Sequence, residues 1–296
     1  MEQAYIYDDM GERKLVSLQA FSYMIDQHHN LWYNHDGFGY ISFHQKNIDY
    51  ITNTPKGMAR ALTEDHQKRL WIGWKRNHKR QPGNLCLYDS LGQWIGNISR
   101  DGKLLADHSA AFNVDVYCIY EDREQNIWLG TKEDGLFLLT PKNENNYEVT
   151  QYIPREDDPY SISNSVYSIL QDSKGRMWIG TWGGGINLID HSSENGHIRF
   201  IHSGNILNNY PIHVCEKVRC LYEAENGVVL IGTTGGLLAC PSEFMKPEAI
   251  RFYHNICEER YSSLSNNDVL NITQTRRGKL IVTTQSGGIN ILEGHG

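Results

Sequence analysis

Short apolar runs alternate with polar turns along most of the chain. Two neighbouring examples are VYSIL, from Val166 to Leu170, and MWIGT, from Met177 to Thr181, which are joined by the polar segment QDSKGR. Runs of about four to eight residues that are rich in β-branched and aromatic side chains predict β-strands when turn residues bound them. Apolar residues at a helical spacing are hard to find. The pattern therefore predicts an all-β fold built from short hairpins.

The hairpin pattern occurs six times, in units of about fifty residues. Each unit aligns on one large apolar anchor. The anchors are Trp32, Trp71, Trp128, Trp178, Leu230 and Ile281. An Ala or Val lies twelve positions before every anchor, an Asp lies six positions before the first four, and a Gly lies two positions after four of the six. Fixed offsets are typical of one supersecondary unit repeated in tandem.

Each recurring residue type suits one place in such a hairpin. The Asp carboxylate can accept hydrogen bonds from turn amides, and the Gly indicates a bulge or the close approach of a neighbouring strand. We interpret the four anchor tryptophans as packing residues that fill the space between adjacent units. The last two units have Leu230 and Ile281 as anchors and Ala224 and Thr275 in place of Asp. These units should differ in detail and keep the topology.

Four short strands in roughly every forty to fifty residues is the spacing of β-propeller blades. The sequence therefore predicts an all-β propeller of four-stranded antiparallel blades, with about six units here, as part of a larger or seven-bladed propeller. Closure of a six-bladed ring is the alternative, but the two ends together would supply one strand too many. The expected domain, 1–296, is one propeller or a fragment of one. Its blades are expected at approximately 1–19 (partial), 20–57, 58–113, 114–163, 164–215, 216–267 and 268–296 (partial).

Composition narrows the class of protein. The chain has 296 residues, 40% of them hydrophobic and 21% charged, and a formal net charge of −7. An acidic chain lacks the positive field of a nucleic-acid-binding surface, and no apolar run approaches the roughly 20 residues of a membrane-spanning helix. The opening sequence, MEQAYIYDDM, does not have the basic and apolar regions of a signal peptide. We expect neither nucleic acid nor direct membrane contact.

Residues that could carry catalysis or hold a metal form no motif. The six cysteines include no C-x-x-C pair and are interpreted as buried free thiols. P-loop, H-E-x-x-H and G-x-S-x-G patterns are absent, and the carboxylate pairs Asp157–Asp158 and Glu258–Glu259 fall in links between units. The sequence therefore predicts no catalytic residue, no metal and no cofactor in this segment.

Candidate ligand-binding residues lie where the second strand turns into the third and where one blade is linked to the next, because both connections emerge on one face of a propeller. They are Trp74, Arg76, His78, Lys79, Arg80, Trp182, His35 and Asp36. Trp74 and Trp182 could stack on a sugar ring or pack inside the fold, and the residues alone leave both open. The basic stretch WKRNHKR at 74–80 is either a solvated loop or a clamp for an anionic ligand, such as a uronic-acid or sulfated oligosaccharide.

The fourth unit resembles a known repeat. Its sequence, SISNSVYSILQDSKGRMWIGTWGGGINLID, is similar to the two-component regulator propeller repeat, which runs S-N-x-V, then D-x-x-G-x-x-W-I-G-T, then G-G followed by Leu or Ile. The last unit, YSSLSNNDVLNITQTRRGKLIVTTQSGGINIL, matches the same pattern without its Trp and Gly. The resemblance covers nearly the whole chain, and the units around Trp32 and Leu230 are the least similar.

The resemblance implies the periplasmic sensor region of a Bacteroides-type hybrid two-component histidine kinase, which detects glycans and signals to the transcription of glycan-use genes. In that family a β-sandwich, a membrane helix, and kinase and response-regulator modules follow the propeller. Diguanylate cyclase modules follow the same repeats in other bacteria.

The partners that this resemblance implies are an oligosaccharide, the neighbouring propeller and β-sandwich domains of the parent chain, and a second copy of the chain. Two alternative functions stay open. One is a propeller-type carbohydrate-active enzyme, a lyase or glycosidase. The other is a platform that binds a protein partner and no small ligand.

Overall fold

The structure is a computed structural model of the chain. It describes the backbone of six strands before residue 58 and, after that, residues 58–76, 84–143, 145–163, 165–191, 198–241, 243–244, 246–258 and 263–292. Strands dominate these ranges. Two short helical segments also occur, α1 (Ile212–Cys215) and a 3₁₀ turn (Pro247–Ala249). Neither they nor any other helix in the described ranges could span a membrane.

The strands of the described residues form seven sheets. Sheet 1 contains β1 (Ala4–Tyr7) and β2 (Arg13–Val16). Sheet 2 contains β3 (Ser22–Ile25), β4 (Leu31–Asn34), β5 (Phe38–Ile41) and β6 (Ile48–Tyr50). Sheet 3 contains β7 (Ala59–Glu64), β8 (Leu70–Trp74), β9 (Leu85–Tyr88), β10 (Trp94–Ile98) and β11 (Leu104–Leu105). Sheet 4 contains β12 (Val116–Glu121), β13 (Ile127–Thr131), β14 (Leu136–Asn143) and β15 (Asn146–Tyr152).

The remaining strands follow the same scheme. Sheet 5 contains β16 (Ser165–Gln171), β17 (Met177–Trp182), β18 (Ile186–Asp190) and β19 (Arg199–Ile201). Sheet 6 contains β20 (Val218–Glu223), β21 (Val229–Thr233), β22 (Gly236–Cys240) and β23 (Tyr253–Asn255). Sheet 7 contains β24 (Val269–Gln274), β25 (Leu280–Thr284) and β26 (Gly288–Leu292).

Strands that are consecutive in the chain are neighbours in each sheet, and they pair antiparallel, as β16 does with β17 and β20 with β21. This meander is the arrangement of a propeller blade. It confirms the predicted all-β class with four-stranded antiparallel blades, since sheets 2, 4, 5 and 6 have four strands each. Sheet 3 has a fifth strand that the repeat did not predict, because β11 pairs with the edge of β10. The number of blades in the intact propeller stays a prediction.

The chain divides into two compact units. One contains Met1–Glu121 and Pro141–Glu148, and the other contains Asp122–Thr140 and Val149–Gly296. All the side-chain contacts that follow join residues of the same unit.

The recurring Asp and Trp form one hydrogen-bonded pair in each described copy. The indole Nε1 donates to the carboxylate Oδ2 over 2.7–2.8 Å, in the pairs Trp71–Asp65, Trp128–Asp122 and Trp178–Asp172. In the last pair, Asp172 Oδ1 also accepts from the turn amides Lys174 N and Arg176 N, at 3.0 and 2.9 Å. All three indoles are buried. The pair therefore satisfies a donor that water does not reach.

The recurring Gly and the recurring Val contact each other across neighbouring sheets. The pairs are Gly73 with Val116, Gly180 with Val218, and Gly232 with Val269. A Cβ atom on any of these glycines would lie 2.5–2.7 Å from the valine Cγ1. Each valine is the residue twelve positions before the anchor of the following unit. The two sequence offsets therefore describe the two sides of one seam, where only Gly leaves room for a β-branched residue.

A second contact between sheets recurs at the turn that joins the first two strands. The last residue of the first strand is Glu or Gln, and it accepts the backbone N–H of a turn residue in the preceding sheet. We call each such contact a latch. The latches are His66 N to Glu121 (2.7 Å), Arg123 N to Gln171 (2.9 Å), Ser173 N to Glu223 (2.7 Å) and Glu225 N to Gln274 (2.9 Å). Every acceptor lies seven positions before its anchor.

The cysteines are free, but not all of them are buried. Cys86, Cys215 and Cys240 are buried, as expected, Cys118 and Cys220 are partly buried, and Cys257 is exposed. The expectation was wrong for Cys257 because this residue lies in the link between β23 and β24, where the neighbouring described residues are also exposed and no sheet covers the thiol.

Candidate functional site

Neighbouring segments hold the end of sheet 5 at which β16 begins and β17 ends. The turn 183–185 leaves β17 there, and its Gly183 N and Gly185 N both donate to Glu216 O of the following link, at 2.9 and 2.8 Å. Thr181 Oγ1 closes the turn by donating to Gly185 O at 2.8 Å. Gly183 and Gly185 have φ values of 110° and 69°, which favour Gly. The turn therefore fixes the position of the adjoining Trp182.

The link that enters sheet 5 is tied to the same sheet by the Ser of the S-N motif. Ser163 N donates to Asn187 Oδ1 at 3.1 Å, and Asn187 Nδ2 donates to Ser163 Oγ at 2.7 Å. Ser265 and Asn290 make the same reciprocal pair in sheet 7, at 2.8 and 3.0 Å. The Ser of the motif and the Asn after G-G-I thus position the connections between sheets.

Five side chains meet beside the 183–185 turn, and we call them the rim cluster: Tyr167, Trp182, Lys217, Arg219 and Asp268. The Tyr167 and Trp182 rings are stacked, with centroids 4.8 Å apart and planes at 21°. Arg219 Cζ and Lys217 Nζ lie 5.0 and 5.8 Å from the Trp182 ring centroid. Arg219 Nε and Nη2 donate to Asp268 Oδ1 and Oδ2 at 2.5 and 2.8 Å. The cluster therefore connects sheets 5, 6 and 7.

The rim cluster is accessible to a ligand. The side chains of Lys217, Arg219 and Asp268 are 40%, 30% and 25% exposed, and Tyr167 and Trp182 are half-buried. Partly desolvated Lys and Arg side chains make strong hydrogen bonds to anionic and polar groups, and aromatic rings offer an apolar contact surface. The Asp268 carboxylate is held by Arg219, so it acts as an ion-pair partner and not as a free base. The chemistry of this arrangement suits the binding and orienting of a ligand.

Trp74 lies inside sheet 3 and not at the surface. The residue ends β8, is 2% exposed, and packs with Ala59, Ile72 and Tyr88. Its ring therefore offers no face on which a sugar could stack, and the packing interpretation describes its place in the fold. At the equivalent position, three positions after the anchor, sheets 4 to 7 have Thr.

Arg76 is engaged in an ion pair. Its backbone N donates to Asp115 Oδ1 at 2.6 Å, and its Nε lies 3.3 Å from the same oxygen. Asp115 is buried. A carboxylate at this distance opposes much of the guanidinium charge, which weakens Arg76 as a clamp for an anion. The other predicted ligand residues lie outside the described residues and stay predictions; they are His78, Lys79, Arg80, His35 and Asp36.

The rim cluster contains one residue that the sequence singled out, Trp182. The other four members were missed, although their positions in the repeat are regular. Tyr167 and Arg219 lie eleven positions before their anchors, and Lys217 and Asp268 lie thirteen positions before theirs. Comparing the units position by position at the start of each first strand would have found these four residues, because the side-chain chemistry changes there from unit to unit.

A cysteine and a histidine of sheet 6 and its entering link lie close together without forming a catalytic pair. Cys215 Sγ is 3.5 Å from His254 Nε2, and the same nitrogen is 2.8 Å from Gly235 O, which can only accept. Nε2 therefore carries the proton that it donates to Gly235 and cannot take one from the thiol. Burial also raises the pKa of the Cys215 thiol and keeps it protonated. Within the described ranges, no group of His, Cys, Asp and Glu has the arrangement of metal ligands.

Among solved structures, the chain is similar in fold to the extracellular domain of one protein from B. thetaiotaomicron, of which two structures match. In the first, described as belonging to a putative one-component system, the TM-score is 0.66 and the identity 18% over 98% of this chain and 38% of that chain. In the second, described as belonging to a putative hybrid two-component system, the TM-score is 0.66 and the identity 19% over 97% of this chain and 37% of that one. A streptogramin B lyase has a TM-score of 0.64 and 12% identity over 98% of this chain and 87% of the lyase. These identities show a shared fold alone.

The chain spans less than two fifths of the B. thetaiotaomicron extracellular domain in either structure. No match was found among curated protein sequences. The profile of the two-component regulator propeller family matches residues 111–133 and 160–183. Each segment contains one buried Asp–Trp pair, Asp122–Trp128 or Asp172–Trp178, and part of the link that enters its sheet. Two segments of the chain, in sheets 4 and 5 and the links that enter them, thus match the two-component regulator propeller repeat.

Proposed function

We propose that this chain is the ligand-sensing propeller region of an extracytoplasmic sensor in a hybrid two-component system, and that it binds an oligosaccharide through the rim cluster. The observation that carries the proposal is the rim cluster itself. Stacked aromatic rings, two cations and a carboxylate are half-exposed together at one end of three sheets. Sugar-binding surfaces need these two components, an apolar ring contact and directional polar groups.

Binding without catalysis is the role proposed for this segment. Burial raises the pKa of the Cys86, Cys220 and Cys240 thiols to about 12, so these groups are thiols and not thiolate nucleophiles at neutral pH. The Asp268 carboxylate is neutralised by a bidentate Arg. The likeness to the lyase, at 12% identity, is one of fold, and the same fold carries unrelated functions.

The rest of the signalling apparatus is proposed to lie in other parts of the parent protein. Those parts would be a neighbouring propeller, a β-sandwich, a membrane helix and the kinase and response-regulator modules, with this region in the periplasm. Because the rim cluster connects sheets 5, 6 and 7, a bound ligand would stabilise one arrangement of these sheets over another. Such a difference in ligand affinity between two states is what shifts packing between domains or between two copies of the chain.

The proposal is tested with the protein and a panel of plant and host oligosaccharides. Thermal unfolding is measured for each sugar, and hits are followed by calorimetric titration. Trp182→Ala should abolish the stabilisation by a hit. Trp94→Ala is the matched control, because Trp94 is also half-buried and stacked, on His108 at 3.8 Å, but lies outside the rim cluster. Loss of binding in both variants, or no binding of any sugar, would contradict the proposal. Cleavage of the sugar would favour a carbohydrate-active enzyme instead.

A further inference from the structure

The seam between sheets 5 and 6 differs chemically from the other seams at the same end of the sheets. Four positions after the anchor, sheet 5 has Trp182, where sheets 3, 4, 6 and 7 have Lys75, Lys132, Thr234 and Gln285. Sheet 6 begins with Lys217 and Arg219 at thirteen and eleven positions before its anchor. The corresponding pairs are Met58 and Arg60, Asp115 and Tyr117, Ser165 and Tyr167, and Asp268 and Leu270. Two cations beside an indole occur at this seam alone among the units from residue 58 onward.

The two cations are placed to act on one ligand group. Both approach the same Trp182 ring, and the backbone of Lys217 pairs with that of Trp182 in an antiparallel bridge. Asp268 accepts hydrogen bonds from Arg219 Nε and Nη2. This bidentate pair orients the guanidinium and does not involve the Nη1 donors. Within the part of the chain that the structure describes, the Lys217 ammonium pairs with Glu216 Oε1 at 3.4 Å, and both of these side chains are at least 40% exposed. An exposed pair of this kind is weak and readily exchanged.

From this geometry we infer that the rim cluster selects an acidic oligosaccharide, one that carries a carboxylate or a sulfate on a pyranose ring. The ring packs against the exposed part of Trp182, and its anionic group takes hydrogen bonds from Lys217 Nζ and from the Arg219 guanidinium. Charge-assisted bonds from two donors outweigh the repulsion of the chain's net charge of −7, since distant charges are screened over about 10 Å at moderate ionic strength. The inference names the ligand class of the site proposed above and rests on that proposal.

A neighbouring groove is a poorer site for such a ligand. A cavity of about 480 Å³ follows the link into sheet 5 and is lined by Arg155, Glu156, Asp158 and His202. Two carboxylates against one guanidinium repel an anion. Burial lowers the pKa of His202, so its imidazole is neutral at pH 7 and adds no positive charge. The acidic ligand is therefore placed at the rim cluster and not in this groove.

The test uses pairs of probes that differ only in charge. Tetragalacturonate is compared with its fully methyl-esterified form, and a sulfated chondroitin disaccharide with its unsulfated form, by calorimetric titration at two salt concentrations. We expect the anionic member of at least one pair to bind about tenfold or more tightly than its neutral partner, as charged hydrogen bonds do, and to weaken with salt. Which pair shows the difference tells carboxylate from sulfate recognition.

Substitutions test which side chains cause the preference for the anionic probe. Lys217→Gln should remove most of the preference for the anionic probe, and Arg219→Lys should reduce it, because the charge stays and the fork is lost. Lys174→Gln is the matched control: Lys174 is an exposed lysine beside an exposed glutamate, Glu243, at 3.7 Å, in the turn at the opposite end of sheet 5. Equal binding of acid and ester that still depends on Trp182 would overturn this inference and leave the proposed function standing. Binding of neither form by the unchanged protein would overturn both.

Discussion

Sheets 5 and 6 build the same hairpin with different side chains. In sheet 5, Asp172 Oδ2 accepts from Trp178 Nε1 at 2.8 Å and from Arg176 Nε at 2.6 Å. In sheet 6 the three equivalent residues are Ala224, Leu230 and Val228, and none can make these bonds. The backbone turns are nevertheless alike. Asp172 N–Arg176 O and Gly175 N–Asp172 O measure 2.9 and 2.8 Å, and their counterparts Ala224 N–Val228 O and Gly227 N–Ala224 O measure 2.9 and 2.8 Å.

The comparison shows that the polar network does not create the turn. The turn needs its backbone bonds and a residue with positive φ, which is 84° at Gly175 and 78° at Gly227 and, in the turns of sheets 3 and 4, 65° at Lys68 and at Gln125. The network is needed because Trp178 brings a buried indole N–H and Arg176 a partly buried guanidinium, and a desolvated donor without a partner is costly. Sheet 6 lacks the acceptor and the donors together, so nothing is left unpaired.

The largest expected effect comes from removing the acceptor alone. Asp172→Ala in sheet 5 should lower the free energy of unfolding by about 3 kcal/mol, because it leaves a buried indole N–H, two turn amides and a partly buried guanidinium without their acceptor. Urea unfolding followed by tryptophan fluorescence measures the change. A loss below about 1 kcal/mol would show that the network adds little in sheet 5 as well.

Converting sheet 5 to the pattern of sheet 6 is the control. The triple variant Asp172→Ala, Arg176→Val, Trp178→Leu removes the donors along with the acceptor. The loss of unfolding free energy in the triple variant should be smaller than the sum of the losses in the three single variants by about 0.5–3 kcal/mol, because residues of one hydrogen-bond network are coupled. Strictly additive free-energy costs would show that the three residues do not act as one network.

A smaller effect, common to both sheets, is expected at the Gly of the seam. Gly180→Ala in sheet 5 would place a Cβ 2.2 Å from Ser168 Oγ of the same sheet and 2.5 Å from Val218 Cγ1 of the next. Gly232→Ala in sheet 6 would place one 2.4 Å from Cys220 Sγ and 2.7 Å from Val269 Cγ1. Each should cost about 1–3 kcal/mol by overpacking, measured by the same unfolding experiment. The additional cost of Gly180→Ala should shrink in a Val218→Ala background. An unchanged cost there would place the clash elsewhere in the sheet.

The latches should contribute less, since they lie near the surface. Glu223 receives Ser173 N and Ser173 Oγ at 2.7 and 2.6 Å, so Glu223→Ala should cost about 1 kcal/mol. Glu223→Gln should cost less than about 0.5 kcal/mol, because an amide oxygen accepts the same N–H, as Gln274 does from Glu225 N at 2.9 Å in the next latch. Equal losses in the Ala and Gln variants would show that the charge, and not the acceptor, matters.

The smallest effect expected is a pH dependence of stability that comes from His202, which follows the last strand of sheet 5. Burial lowers the pKa of His202 below 6.5 in the folded state, against opposing hydrogen bonds to the Ser161 and Pro159 carbonyls. The unfolded state therefore takes up the proton first, and stability should decline as the pH falls through 6.5, then level off below the folded pKa. His202→Gln should flatten this part of the stability–pH curve. A curve of unchanged slope in His202→Gln would assign the titration to another group.

Much of the hairpin could be predicted from the repeat, and the contacts between hairpins could not. Fixed offsets marked Asp172 as a turn residue and Trp178 as a packing residue, because local hydrogen bonding and burial follow from spacing along one strand pair. The same offsets marked Gly180 as a close approach but not its partner, Val218, which lies in the next sheet. The latch acceptors were missed, because Glu and Gln at a strand end look like solvated residues until the neighbouring turn is in place.

The candidate site shows the same division. Trp74 and Trp182 have the same chemistry and nearly the same place in their units, and the sequence left both open to stacking or packing. Their positions within the unit differ by one residue. Trp74 lies three positions after its anchor and is buried, whereas Trp182 lies four positions after its anchor and belongs to the rim cluster. Side chains alternate between the two faces of a strand, so a shift by one position exchanges core for surface.

The sequence by itself determined the all-β class, the four-stranded unit and the Asp–Trp hairpin, since each depends on residues close together in the chain. Only the tertiary structure decided which rings stay accessible and which cations lie beside Trp182. Lys217, Arg219 and Asp268 come from the starts of two later sheets and meet Tyr167 and Trp182 only after the sheets pack side by side. The pattern within one unit specifies how that unit folds, while a binding surface is a property of the seams, where residues about fifty positions apart in sequence become neighbours.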